Sequence, residues 1–70
     1  MHNYPEPGKT YRHYKGGLYK FLFLSTHTET GEVFVNYKSL HFGSYYSRPL
    51  SSWNELSKDG EIRFTLYESF

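Results

Sequence analysis

Tyr11-Arg12-His13-Tyr14-Lys15-Gly16-Gly17-Leu18-Tyr19 is the stretch of sequence that decides the fold. The residues from Tyr11 to Tyr14 predict a short strand, because aromatic side chains alternate there with polar ones. The segment Lys15-Gly16-Gly17 then supplies the positive-φ positions that a tight hairpin needs. The stretch therefore predicts two antiparallel strands joined by a short turn.

The second strand of this hairpin is predicted over Leu18–Thr26. Successive side chains of a strand point to opposite faces, so one face should carry Tyr19, Phe21, Phe23 and Ser25 and the other Leu22 and Leu24. Apolar residues on both faces predict a central strand or a curled barrel strand. Further strands are predicted over Glu32–Leu40, Tyr45–Arg48 and Glu61–Tyr67, with a helical turn over Ser51–Leu56. The prediction is an all-β fold, either a small curled antiparallel sheet or an SH3-like barrel of about five strands with one short helical turn.

The chain length of 70 residues predicts one domain, with an extended N-terminal lead-in over residues 1–9 and a single β domain over residues 10–70. The sequence has no cysteine, which fits a reducing cytoplasm. Its longest apolar run, Phe21–Leu24, is far too short to span a membrane, and no signal peptide is visible. We therefore expect a cytoplasmic protein without a membrane partner.

The formal net charge is only +1, which argues against broad electrostatic binding of nucleic acid. Aromatic residues make up 21% of the chain, and eight of them are tyrosines. Because a buried hydroxyl needs a hydrogen-bond partner, so many tyrosines are expected near the surface or in a wet pocket. A small domain of this composition is also a candidate for self-association as a homo-oligomer.

The first candidate site lies in the opening strand. Arg12 and Tyr14 should share one face, opposite Tyr11 and His13, and Lys15 follows directly. A guanidinium beside an aromatic ring suits an anionic group attached to a flat ring system. The alternative is a solvated strand whose tyrosines support the core.

The second candidate is the turn His27-Thr28-Glu29-Thr30. A histidine next to a carboxylate suits a general base, a metal ligand pair or an orienting hydrogen bond. His27 would end the predicted core-facing row of the long strand, which favours a pocket or structural role over catalysis. Thr28 and Glu29 have an alternative role as turn residues that satisfy backbone groups, and this role is favoured for both threonines of the turn.

The third candidate is Tyr45-Tyr46-Ser47-Arg48-Pro49. An arginine at a strand end beside two tyrosines is a good clamp for phosphate or carboxylate. The alternative is an internal ion pair between Arg48 and one of three glutamates, Glu29, Glu32 or Glu55.

No metal and no cofactor is expected. A metal site from His13, His27 and His41 with Glu29 would match no ligand signature. The sequence also contains no dinucleotide fingerprint, phosphate loop, nucleophile elbow or carboxylate pair at short spacing. These observations favour a binding module over an enzyme, with a general base at His13 or His27 as the remaining enzymatic alternative.

The combined motifs resemble the domain of unknown function 1653 family of bacterial and phage proteins. The resemblance runs from Pro7 to about Leu66 and rests on Tyr11-Arg12-His13-Tyr14-Lys15-Gly16, His27-Thr28-Glu29-Thr30, Val35-Asn36-Tyr37, Arg48-Pro49 and Arg63-Phe64. It implies a domain but no reaction. The positions that it picks out are mostly polar, and polar residues are poorly explained by a core alone.

The leading hypothesis is a non-catalytic module that captures a small anionic, nucleotide-like ligand, as a bacterial or phage protein that sequesters a nucleotide signal would do. The predicted ligand-binding residues are Arg12, His13, Tyr14, Lys15, His27, Glu29, Thr30, Tyr37, Tyr45 and Arg48. One alternative is a protein- or peptide-interaction module with an SH3-like surface. A second is a single-stranded nucleic-acid binder, against which the near-zero net charge counts.

Overall fold

A computed structural model describes residues 4–67 as a five-stranded antiparallel sheet with one short helix. In chain order the elements are β1 (Thr10–His13), β2 (Leu18–Thr26), β3 (Val33–Ser39), β4 (Tyr45–Pro49), α1 (Leu50–Trp53) and β5 (Phe64–Leu66). The strands lie side by side in the order β4-β3-β2-β1-β5. Over the same residues, no helix is long and apolar enough to cross a membrane.

The predicted all-β fold of five strands and one helical turn is confirmed, and of its two predicted forms the molecule adopts the open sheet. The last strand is shorter than predicted. It was expected over Glu61–Tyr67 but pairs only over Phe64–Leu66, while Ile62 makes an isolated bridge with Leu56. Within residues 4–67, no strand pairing joins β4 to β5, so both remain edges.

The open sheet is nevertheless strongly curled. Adjacent strands lie about 4.8 Å apart, so the two edges of a flat five-stranded sheet would be separated by about 19 Å. Instead, the guanidinium carbon of Arg48 on β4 lies 5.3 Å from the ring centre of Phe64 on β5. The curl therefore brings the two edge strands together over the inner face of the sheet.

A β-bulge at Leu22 interrupts the alternation of β2. Phe21 pairs with Tyr37, but the next paired residue is Phe23, opposite Asn36, so Leu22 is an extra residue in the ladder. A bulge residue switches the faces of all the residues that follow. Phe21 is accordingly 1% exposed and Phe23 57% exposed. The prediction that the two phenylalanines share a face is wrong for this reason.

The core occupies the inner face of the sheet and is mainly aromatic. Its buried residues are Tyr11, Phe21, Val35, Tyr37, Leu50, Trp53 and Phe64. Helix α1 follows Pro49 directly and places Trp53 over the sheet, where its ring stacks on Phe64 with centroids 3.9 Å apart and planes 3° from parallel. This stack connects the helix to the edge strand β5 and covers part of the inner face.

The two glycines of the first hairpin have different roles. Gly16 has a φ of 106°, as predicted for a positive-φ turn position. Gly17 instead allows a close approach, because a Cβ atom there would lie 2.9 Å from Cε2 of Tyr19. The second glycine therefore makes room for a ring on the inner face.

Candidate functional site

Arg48 provides the most unusual polar group of the inner face. It pairs with the buried Val35 across β3, so its side chain points inward, where its guanidinium lies over the Phe64 ring. Its Nε and Nη1 atoms are buried and have no hydrogen-bond partner among the described residues. A buried donor without a partner costs about 1–3 kcal/mol, and more when it is charged. These two nitrogens are therefore available to an acceptor from outside residues 4–67.

The internal ion pair that the sequence offered as an alternative for Arg48 is not formed. Within residues 4–67, the ion pair present joins Arg63 Nη2 to Glu55 Oε1 at 3.6 Å. Arg63 also donates from Nε to the Glu55 carbonyl oxygen at 3.3 Å. Glu55 is thus directed to Arg63, and within residues 4–67 no carboxylate pairs with Arg48.

Aromatic rings from all five strands lie around this charge. His13 lies edge-on to Phe64 with ring centroids 4.9 Å apart, and Tyr19 lies edge-on to Tyr37 at 5.4 Å. Tyr46 lies 5.7 Å from Tyr37 in turn. We call the whole group the Arg48 cluster; its members are His13, Tyr19, Tyr37, Tyr46, Arg48 and Phe64. It combines one guanidinium, one imidazole and three phenol hydroxyls on the inner face.

Electrostatics in the cluster favour an anion. Burial lowers the pKa of His13 below its usual 6.5, and the positive charges of Arg48, Arg63 and Lys15 lower it further. Three cations thus act on one imidazole. Burial also raises the pKa of Tyr37, against the opposing charge of Arg48, so its hydroxyl remains protonated at neutral pH. The cluster is therefore positively charged and holds a neutral imidazole and a neutral phenol.

The structure brings five of the ten predicted ligand-binding residues into or beside the cluster. His13, Tyr37 and Arg48 belong to it. Tyr14 packs against His13 with ring centroids 4.5 Å apart, and Lys15 Nζ lies 5.7 Å from the centre of the Tyr14 ring. The hairpin thus extends the cluster toward solvent with a ring and an ammonium group.

Arg12 does not join them. Tyr11 and His13 are the residues of β1 that face inward, so Arg12 points to the opposite face, where it is exposed between Leu18 and Thr65. The predicted pairing of Arg12 with an aromatic ring on one face therefore does not contribute to the Arg48 cluster.

The turn after β2 is also separate from the cluster. His27 Nδ1 accepts hydrogen bonds from the backbone N–H groups of Glu29 and Thr30 at 3.2 and 3.3 Å. All three residues are exposed. The prediction that His27 ends a core-facing row is wrong, because the Leu22 bulge switches the faces of β2 before the turn. In this structure His27 satisfies backbone donors of its own turn.

Tyr45 lies on the outer face, 69% exposed, while its neighbour Tyr46 is the tyrosine of β4 that faces inward with Arg48. The two-residue period of a strand could have identified Tyr46, since it stands two positions before Arg48. The sequence also did not predict three further residues of the site, Tyr19, Arg63 and Phe64. They come close to the cluster only through the pairing of the strands. No group of three or more His, Asp or Glu side chains in the described part of the chain is placed to hold a metal ion.

Comparison with known proteins gives one family and no individual relative. Neither the curated proteins nor the solved structures contain a match to this chain. The family model described as "Protein of unknown function (DUF1653)" matches residues 9–66. This match spans most of the chain and confirms the resemblance found in its motifs, so the chain belongs to the DUF1653 family.

Proposed function

We propose that this chain is a non-catalytic module that captures a small anionic, nucleotide-like ligand at the Arg48 cluster. The observation that carries the proposal is the Arg48 guanidinium, whose Nε and Nη1 are buried beside the Phe64 ring and lack partners within residues 4–67. An arginine in this setting is suited to phosphate or carboxylate, because its planar fork binds two oxygens at once. A bound oxyanion would supply the acceptors that these nitrogens lack.

The other groups of the cluster support the same ligand chemistry. Lys15 and Arg63 add positive potential at its border, as their effect on the pKa of His13 indicates. The protonated Tyr37 hydroxyl is a donor for a further anionic oxygen. A base or another flat ring would stack on the His13–Tyr14 pair, whose rings lie 4.5 Å apart.

Nε and Nη1 of Arg48 are buried although the residue as a whole is partly exposed, so a ligand reaches these two nitrogens only when a neighbouring side chain moves. Tyr46 lies on the edge strand β4 and is 44% exposed, whereas Tyr37 beneath it is buried. An exposed side chain changes rotamer in picoseconds to nanoseconds. Rotation of Tyr46 away from Tyr37 would open the guanidinium to solvent while leaving the core in place.

Binding of this kind changes no covalent bond, so the biological effect would be to lower the concentration of free ligand. The absence of cysteine supports a reducing cytoplasm as the place of action. The proposed role is therefore sequestration of a nucleotide signal in a bacterial or phage-infected cell.

Calorimetry with mono-, di- and cyclic nucleotides tests the proposal, with inorganic phosphate and a nucleoside as separate probes. The wild-type protein should bind at least one nucleotide with a Kd well below 1 mM. Arg48→Gln should weaken that binding at least tenfold, the order expected for one lost charge-assisted pair. The matched control Arg12→Gln, an exposed arginine on the opposite face, should bind as wild type. Absence of binding to every nucleotide, or equal losses in both variants, would refute the proposal.

A further inference from the structure

The outer face of the sheet carries a second, separate set of features. None of the five strands contains an acidic residue, although they hold four cationic ones, namely Arg12, Lys20, Lys38 and Arg48. Arg48 points inward. The other three point outward, because their strand neighbours Tyr11, Phe21 and Tyr37 are the buried residues. Although the net charge of the chain is only +1, the charged side chains that the strands place on the outer face are therefore all positive.

Two of these cations stand in an unfavourable position. Lys20 and Lys38 are directly opposite each other on β2 and β3. Like charges at directly opposed positions destabilise a sheet. Lys38 continues the row to β4, where its Nζ lies 5.4 Å from the centre of the exposed Tyr45 ring. The row therefore combines two ammonium groups with a ring, and an anionic partner would relieve their repulsion.

A groove lies beside this row. It has a volume of about 400 Å³ and is lined by Phe23 on one side and Tyr45 and Tyr46 on the other, with Asn36 and Ser47 between them. The Leu22 bulge is the reason that Phe23 reaches this face at all. Phe23 is 57% exposed, and the phenol of Tyr45 is still more open. Two open rings with a gap between them form a site into which a flat ring can stack.

The floor of the groove is polar and fixed. The Asn36 amide donates to Ser25 Oγ at 2.8 Å and to the Phe23 carbonyl oxygen at 3.1 Å, while its Oδ1 accepts from Ser47 Oγ at 3.2 Å. These bonds hold the three strands in register beneath the rings. A rigid floor with open rings above it fits stacking that is independent of base identity.

We propose that this outer face binds single-stranded nucleic acid, with a base stacked between Phe23 and Tyr45 and the flanking phosphates at Lys20 and Lys38. The adjacency of rings and cations favours this partner over an acidic peptide, which would use the charges but not the groove. Exposed aromatic rings on a sheet flanked by basic side chains are what sequence-tolerant binding of single strands requires. Tyr37 and Tyr46 belong to the Arg48 cluster and also border the groove, but the proposed contacts at Phe23, Tyr45, Lys20 and Lys38 lie on the outer face, opposite Arg48.

Fluorescence anisotropy with a labelled single-stranded DNA oligomer and its RNA counterpart tests this proposal. We expect binding at low salt that weakens as salt rises, with a log–log slope of about −1.4 for two phosphate contacts. Lys38→Gln should reduce the slope by about 0.7. Phe23→Ser should weaken binding at least threefold without changing the slope. Lys58→Gln, in the exposed turn before β5, is the matched control and should bind as wild type.

Other outcomes identify other partners. No anisotropy change at low salt, or identical binding by wild type and Phe23→Ser, would overturn the proposal. Equal competition by an acidic peptide would assign the face to an acidic protein, and a dimer abolished by Phe23→Ser would assign it to a second copy of this chain. Arg48→Gln should bind the oligomer as wild type, so failure of the nucleotide pocket and failure of this face are distinguishable.

Discussion

The guanidinium carbon of Arg48 lies 5.3 Å from the ring centre of Phe64, although the two residues belong to the opposite edge strands of the sheet. A cation over an aromatic face contributes about 0.5–2 kcal/mol, depending on how far it is desolvated. This contact joins the edges of the curled sheet and also places the guanidinium, whose Nε and Nη1 lack partners within residues 4–67, against the Phe64 ring. Closure of the fold and formation of the proposed anion site are therefore consequences of the same contact.

Replacing Arg48 should change the titration of His13. The positive charge of Arg48 is one of the causes that hold the pKa of His13 below 6.5, after burial itself. Arg48→Gln should therefore raise that pKa, measured by NMR titration of the imidazole. Arg12→Gln removes an equal charge from the opposite face and should leave the pKa of His13 as in wild type. An unchanged pKa of His13 in Arg48→Gln would show that Arg48 lies too far from His13 to affect its titration.

Nucleotide binding should move the same pKa in the same direction. A phosphate on Arg48 neutralises the charge that opposes protonation of His13, so saturation should raise the pKa of His13. The titration is repeated with and without ligand. If the pKa falls on binding, the phosphate does not lie at Arg48.

Stability should decrease as the pH falls through the region of the histidine titration. Because the pKa of His13 is lower in the folded chain than the 6.5 of the unfolded chain, the unfolded state binds more protons below about pH 6.5. Folding is thus favoured above that pH and disfavoured below it, until His13 itself is protonated in the folded state. Urea midpoints at about pH 7.5 and about pH 5.5 measure the effect.

Two histidine variants separate this effect from general acid sensitivity. His13→Asn should flatten the difference between the two midpoints, whereas His27→Asn, in an exposed turn, should retain it. Equal flattening in both variants would contradict the assignment to His13.

The Leu22 bulge predicts different costs for two phenylalanines that are two positions apart. Phe21→Leu removes volume from the core and should lower the free energy of unfolding by about 1–2 kcal/mol. Phe23→Leu, on the outer face, should change it by less than about 0.5 kcal/mol. Urea denaturation of both variants gives the comparison. Similar losses would mean that β2 alternates regularly, without the bulge.

The hairpin glycines should also respond differently. Gly16→Ala places a side chain at a φ of 106°, which should cost about 1–2 kcal/mol of stability without displacing a neighbour. Gly17→Ala should instead displace the Tyr19 ring, because the new methyl group would lie 2.9 Å from Cε2 of that ring. NMR shifts of the Tyr19 ring protons distinguish the two, and they should change mainly in Gly17→Ala.

Removing the repulsion between Lys20 and Lys38 should stabilise the fold and weaken the binding of single-stranded nucleic acid. Lys20→Glu turns a like-charged pair with Lys38 into an opposite-charged pair, which should raise the free energy of unfolding by about 0.2–1 kcal/mol. The same variant should lose affinity for single-stranded nucleic acid. A stabilised variant with undiminished binding would separate Lys20 from the proposed surface.

Features that depend on local sequence were predicted well, whereas features that depend on contacts across the sheet were not. Strand positions followed from local alternation and turn residues, so β1 to β4 were placed within one or two residues of their observed bounds. The bulge at Leu22 was not foreseeable, because an extra residue in a run of apolar side chains leaves no mark on composition. That one residue determined where Phe23 points and separated His27 from the core.

The candidate site was predicted in part for a similar reason. His13, Tyr37 and Arg48 were identified by residue type and motif. Phe64 could not be predicted as a partner of Arg48, because their contact depends on the curl of the whole sheet. Arg12 and Tyr45 were chosen for their neighbours in sequence, but adjacent strand residues face opposite ways.

The strand order also has a consequence for the order in which the protein folds. Strands β1 to β4 form a meander of neighbours, whereas β5 must return to pair with β1 through contacts such as His13 with Phe64. Contacts between residues so distant in sequence are slow to form. During folding, the meander can assemble from contacts between neighbouring strands before β5 docks, but Arg48 has no aromatic partner from β5 until Phe64 pairs with His13. Ligand capture at Arg48 should therefore require the pairing of β5 with β1, the most distant strand pairing of the sheet.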